Sequence, residues 1–261
     1  MTATGLLAPP LSPYRRWYLH FERNKPAPHE IPWADPYHLT GVERRRVAGS
    51  MRQFQLGEWA RGRGLLRRAA ADPRLRREEW FVPALELFIG EEQRHSEILG
   101  RFLDREGIAR LERHWIDGVF RRARKLAGLE LCVAVLVTAE IAAVAYYQAL
   151  RDATRSPLLR AICRRILCDE SAHLAYQGMT IALLRRGGGA WWRDLRFGLH
   201  RVFFLGTMLT LWLGHRQVFR GARWSLRRLA QESGRLFARF EGIVRSGMSE
   251  GLSADSIRLD D

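Results

Sequence analysis

Two stretches decide how this chain folds: Glu91-Glu92-Gln93-Arg94-His95 and Asp169-Glu170-Ser171-Ala172-His173. Each sets a glutamate three residues before a histidine, and residues i and i+3 of an α-helix share one face about a turn apart. A further glutamate precedes each pair, Glu58 by 34 residues before Glu92 and Glu140 by 30 residues before Glu170. Those separations fit a long helix running up, a short turn and a long helix running down, so that both partners meet at mid-height. The chain is expected to be all-α, with two helical pairs that bring four glutamates and two histidines together.

Working outward, Thr40-Gly41-Val42-Glu43 reads as a capping box that opens a first helix. That helix is expected to run to about Ala71, where Asp72-Pro73 stops it, with Val47, Met51, Phe54, Glu58 and Leu65 on one face. Glu58 then interrupts an apolar seam at its middle. A second helix is expected over 79–105, with Leu85, Phe88, Glu92, His95, Leu99 and Phe102 facing inward and Pro83 tolerated in its first turn. The stretch from Gly107 to Gly128, with an amphipathic piece around Leu111–Arg122, is long enough to cross from one end of the bundle to the other. The third helix, 129–153, holds the most apolar run of the chain, and Glu140 stands alone in it. A buried carboxylate without a partner is costly. Ser156-Pro157 is an N-cap with proline at the first helical position, which opens a fourth helix ending at Arg186 before a Gly187-Gly188-Gly189 hinge.

Two more helices are expected, over 191–221 and 224–246. The first contains Val202–Gly214, uncharged but too short to span a bilayer, and its expected place is against the bundle, with docking on a membrane or a subunit as the second choice. Residues 1–39, rich in proline and aromatics, read as an extended N-terminal arm; 40–187 form the bundle, 188–246 the added helices, and 247–261 a disordered tail.

Nearly half of the 261 residues are hydrophobic, enough for one sizeable core. The net charge is +15, and 41 of the 43 basic residues are arginines recurring in pairs along the whole chain. That distribution reads first as a solvated basic surface and second as a face for an acidic protein partner; neither membrane docking nor nucleic acid is the expected role. Cys132, Cys163 and Cys168 lack the spacing of a zinc site and read as reduced core residues. No secretory signal opens the chain, so a cytoplasmic location is expected.

Glu58, Glu92, Glu140 and Glu170 with His95 and His173 form the ligand set of a two-metal carboxylate site. Four carboxylates balance two divalent cations, which removes a repulsion the interior could not bear. Mixed oxygen and imidazole donors favour iron, with manganese or a mixed pair in reserve. Glu91 and Asp169, each one residue before a ligand glutamate, point about a quarter turn away. There each could accept the N–H of the histidine from the opposite half, with Arg94 pairing Glu91 or Asp169. Tyr147, seven residues after Glu140, is the candidate for a radical or gating role, and Trp59 a weaker one for electron relay. Among the other histidines, only His200 or His215 is placed to supply a seventh ligand.

These residues resemble the ferritin-like di-iron carboxylate superfamily over about residues 40–187. The strings around Glu92 and Glu170 are most similar to soluble acyl-carrier-protein desaturases, ribonucleotide reductase small subunits and related di-iron oxygenases. The resemblance implies a ferritin-like four-helix bundle with a long crossover between its second and third helices, extended here by two C-terminal helices. It also implies two iron ions, with Glu58, Glu92 and His95 on one, Glu140, Glu170 and His173 on the other, and two carboxylates bridging. The implied activity is dioxygen-dependent oxidation of an apolar or carrier-bound organic substrate, by hydroxylation, desaturation or N-oxygenation, with electrons from an external donor. Where such hydroxylases carry a threonine, one turn after the third-helix glutamate, this chain has Ala143 and Val144. Two alternatives stand beside this reading: a ferritin- or rubrerythrin-like metal-handling or peroxide-scavenging protein, and a basic nucleic-acid- or membrane-binding protein with a structural metal site. A homodimer is compatible with all three.

Overall fold

The structure is a computed structural model and describes residues 12–25, 31–59, 62–112, 128–187 and 189–249. Among these residues there is no strand. The helices are α1 (Pro13–Asn24), α2 (Gly41–Glu58), α3 (Arg63–Ala71), α4 (Phe81–Arg105), α5 (Leu129–Ala153), α6 (Pro157–Arg185), α7 (Ala190–Gly221) and α8 (Leu226–Ser249), with a 3-10 turn at Leu75–Arg77 before α4. The amphipathic piece expected around Leu111–Arg122 lies almost wholly outside the described residues, as does the tail from residue 250. Gly247, Met248 and Ser249, assigned to that tail in the sequence reading, belong to α8.

The local chemistry sets the ends of the helices that carry the site. The Thr40 hydroxyl accepts the Glu43 N–H, and Glu43 in turn accepts the Thr40 N–H at 3.0 Å. The same carboxylate accepts from the Tyr37 hydroxyl at 2.7 Å and from the Arg155 N–H at 2.7 Å, which ties the start of α2 to the turn between α5 and α6. Burial alone would raise the Glu43 pKa, but these hydrogen bonds outweigh it and hold it at about 2. Ser156 caps α6 by accepting the Leu159 N–H, and Pro157 occupies the first turn.

α5 lies along α6, α2 along α4, and α4 also meets α6. α5 is buried over most of its length, as its near-continuous apolar sequence requires. Gln55 and Ser96 lock α2 to α4: the Gln55 amide donates to the Ser96 hydroxyl at 3.0 Å, and that hydroxyl donates to the Gln55 carbonyl at 2.8 Å. Glu58 follows Gln55 by one turn and Glu92 precedes Ser96 by one turn, so this pair sets how the two carboxylates face each other.

Two expectations require correction. Residues 1–39 are not simply an extended arm, because Pro13–Asn24 form α1, which packs on α4. Tyr14, Trp17 and Phe21 sit at helical spacing and are buried against Phe81, Phe88 and Tyr176. Nor does one helix run from 41 to 71. α2 ends at Glu58 and α3 restarts at Arg63, so Glu58 closes a helix and does not sit at the middle of one. Gly62 adopts φ +60°, and a Cβ there would run into the Ile89 side chain. Left-handed backbone and contact with α4 both demand glycine. Gly62→Ala is expected to lower stability by about 1–3 kcal/mol, read as a fall in the urea midpoint; an unchanged midpoint would remove this role for Gly62.

Candidate metal centre

The four helices α2, α4, α5 and α6 deliver Glu58, Glu92 with His95, Glu140, and Glu170 with His173 to one buried place. Each of the six is at most 8% exposed. Their ligand atoms form two sets, Glu58, Glu92, His95 and Glu170, and Glu92, Glu140, Glu170 and His173; within each set the atoms lie within 4.8 Å of one another. Glu92 and Glu170 belong to both sets.

The outer nitrogens of the histidines are held crosswise. His95 Nε2 lies 2.9 Å from Asp169 Oδ2, and His173 Nε2 lies 2.9 Å from Glu91 Oε2. Because a carboxylate only accepts, Nε2 carries the proton in both rings, and in the neutral ring Nδ1 presents a lone pair to the interior. His173 Nδ1 is 2.9 Å from Glu92 Oε1 and 3.5 Å from Glu170 Oε2, while His95 Nδ1 is 3.8 Å from Glu170 Oε1. Glu92 Oε1, both Glu170 oxygens and both Nδ1 atoms are buried without a hydrogen-bond partner. Acceptors thus face acceptors in a space closed to water, and only a cation or added protons can relieve that. The donor set, four carboxylates and two imidazoles, fits divalent metal ions of the first transition row.

With protons as the only cations, burial and the neighbouring Glu140 push the pKa of Glu92 and of Glu170 well up. Burial would lower His173, yet Glu92, Glu170 and Glu91 outweigh it and raise the imidazole well above its ordinary value. Protons and metal ions therefore compete for the same atoms.

Around this core the structure brings in side chains that the sequence reading did not identify. The Asn24 amide of α1 donates to both Glu91 and Asp169, at 2.8 Å in the second case, and its carbonyl oxygen accepts from Arg165 at 3.3 Å. One amide thus links the two acids that orient the two histidines. Arg94 pairs with Glu91 at 3.2 Å, whereas Asp169 has Arg165 at 3.2 Å. Burial would raise Asp169, but the hydrogen bonds from His95 and Asn24 and the Arg165 charge hold it at about 2. The two outer ligand glutamates are held by neutral donors: Tyr147 Oη donates to Glu58 at 2.6 Å and the Gln177 amide to Glu140 at 2.9 Å. Gln177 lies one turn past His173, a signal the sequence did contain. Asn24 left none, since its partners are 67 and 145 residues away.

Removing the Asn24 amide by Asn24→Ala frees both outer acids and is expected to weaken metal binding about 10-fold or more. Asp169→Ala, which leaves His95 without its acceptor, is expected to do the same. Titration of the metal-free protein with manganese(II) measures both. Equal affinity in wild type and variants would show that the outer acids do not orient the histidines.

Tyr147 is fully buried, and burial together with Glu58 raises its phenol pKa well above the ordinary value, so it keeps its proton and donates. Trp59 is about half exposed and follows the last residue of α2. His200 bonds Thr138 at 2.9 Å and His215 bonds Ser50 at 2.5 Å; neither joins the two ligand sets. Burial and Arg185 lower His200 to about 4. None of the three cysteines is in a disulfide; Cys132 and Cys163 are buried as expected but Cys168 is exposed, which corrects its reading as a core residue.

A narrow apolar crevice lined by Leu65, Leu85, Phe88, Val133 and Tyr176 includes Gln177, whose amide holds Glu140. Comparisons with protein-family models, with curated proteins and with solved structures return no match for this chain. On its own geometry it is, among the described residues, all-helical, with a buried cluster of glutamates and histidines able to hold metal ions.

Proposed function

We propose that this chain is a ferritin-like di-iron carboxylate protein that uses dioxygen to oxidise an organic substrate. The observation that carries the proposal is the pair of imidazoles whose Nε2 atoms are tied outward to Asp169 and Glu91 while their Nδ1 atoms face four inward carboxylates. Glu58, Glu92, Glu170 and His95 would hold one ion, and Glu140, Glu92, Glu170 and His173 the other. Ferrous ions held by these residues would supply electrons to dioxygen at a site closed to water. Inserting one oxygen atom into a C–H or N–H bond and releasing the other as water takes four electrons, two from the substrate and two from the ferrous pair, together with two protons, so an external donor would have to bring two electrons per turnover to restore the ferrous state.

The chain's own residues position and exclude. Tyr147 and Gln177 fix the carboxylates of Glu58 and Glu140, Asn24 fixes both outer acids, and Ala143 and Val144, one turn past Glu140, keep that side apolar. The narrow crevice reaching Gln177 is apolar, and it would have to widen to admit an organic substrate. The +15 surface suits an acidic electron donor or an acidic carrier of the substrate.

Anaerobic loading with ferrous iron followed by mixing with dioxygen tests the reading. Iron should be oxidised at about two ions per chain, and repeated reduction should restore dioxygen consumption. Continued iron uptake far beyond two ions per chain would instead make iron the substrate, and inert iron would end the proposal.

A further inference from the structure

α7 has two faces. Phe197, Phe204, Met208, Leu211 and Val218 are buried, and α5 and α2 pack against the helix. The opposite face carries Leu195, Leu199, Val202, Leu205, Leu209 and Leu213, each between 37% and 69% exposed. Trp191 and Trp192 extend it at one end, at 66% and 56% exposed. The whole band, from Trp191 to Leu213, is about 33 Å long at 1.5 Å per residue. No charged residue falls between Val202 and Leu213. Such a continuous exposed apolar band marks an interaction surface.

We infer that this face docks α7 in the plane of an anionic lipid bilayer. Charge selects the partner. Residues 190–249 hold eleven arginines against three acids, more than half of the chain's excess positive charge. Exposed Arg216, Arg220 and Arg223 follow the apolar band at one end, and the tryptophans with Arg193 begin it at the other. Amphipathic rings and arginines at the ends of an apolar band suit the headgroup level of a membrane, where anionic lipids attract the cations.

A second copy of the chain fits worse. In a parallel pair each arginine-rich end meets its own kind, and in an antiparallel pair Arg216 and Arg220 have Asp194 as the one acid in α7 to meet. The hydroxyls on the helix need no water either: Thr207 donates to the Phe203 carbonyl and Thr210 to the Gly206 carbonyl, both at 2.9 Å. A spanning orientation is excluded by the inner face, which is packed on the bundle and carries His200 against Thr138.

The test uses the full-length protein and sedimentation with vesicles of phosphatidylcholine containing 30% phosphatidylglycerol, beside phosphatidylcholine alone. Binding at least about tenfold stronger to the anionic vesicles is expected. Leu199→Glu with Leu209→Glu should weaken it at least tenfold, and Arg216→Glu with Arg220→Glu should remove the preference for anionic lipid. These positions are exposed, so helix content and metal content should stay at wild-type values. Protein left in the supernatant would overturn the inference, as would binding indifferent to the glutamate substitutions. A dimer in solution that the leucine substitutions dissociate, with no vesicle binding, would assign the face to a second copy. None of these outcomes bears on oxygen chemistry at the buried cluster.

Discussion

Glu170→Gln is expected to abolish occupancy of both metal ions while leaving the metal-free protein folded. Glu170 belongs to both ligand sets and has two buried oxygens without a hydrogen-bond partner. The amide keeps the volume and removes the charge, so affinity should fall at least about 100-fold, or roughly 2.7 kcal/mol per ion. Glu92→Gln should behave alike, because Glu92 is the other shared residue. Glu58→Gln and Glu140→Gln each touch one set and should weaken one ion more than the other. An acid retained for stability would give the opposite pattern, with metal-free Glu170→Gln melting lower than metal-free wild type. Metal analysis after desalting, paired with thermal melts, separates the two.

Metal loading is expected to raise the melting temperature, and by more at pH 8 than at pH 5.5. In the metal-free protein Glu92 and Glu170 titrate well above the ordinary glutamate value and His173 well above the ordinary histidine value. Between the unfolded and folded values the native state holds protons that the unfolded chain has released. The stability these protons provide is complete below the unfolded values and is lost as pH rises through the folded ones. The metal-free protein therefore weakens with rising pH over the range above about 4.5 for the glutamates and above about 6.5 for His173. Metal ions replace those protons, and their affinity grows as the competitors leave. At free metal a thousandfold above Kd the gain is about 4 kcal/mol, or a rise of roughly 8–16 °C for a chain of this size. Melts with and without manganese(II) at the two pH values read the effect directly. A gain that shrinks with pH would contradict it.

How far the sequence could be read depends on whether the information was local. The E-x-x-H pairs and the acids one residue before them are helical patterns, and the crosswise contacts of Glu91 with His173 and Asp169 with His95 use those positions. α5 and α6 were legible for the same reason, through an apolar run and a Ser-Pro start. α1 is marked in the sequence only by Tyr14, Trp17 and Phe21 at helical spacing after Pro13, and the surrounding prolines favour an extended arm over a helix. The break after Glu58 was signalled by Gly57, Gly62 and Gly64, but its need came from Ile89 on another helix. Asn24 and Arg165 could not be assigned at all, since their roles exist only once three helices meet. The two faces of α7 were equally hidden: the helix is apolar around much of its circumference, so sequence alone does not tell which side packs.

Anomalous X-ray scattering from crystals soaked in ferrous iron under anaerobic conditions tests the central claim most directly. Two peaks about 3.5–4 Å apart should lie between His95 and His173, with Glu92 and Glu170 reaching both and Nδ1 of each histidine directed at one. A site empty at saturating iron, or iron bound only at surface carboxylates while the six buried side chains remain without it, would contradict the account.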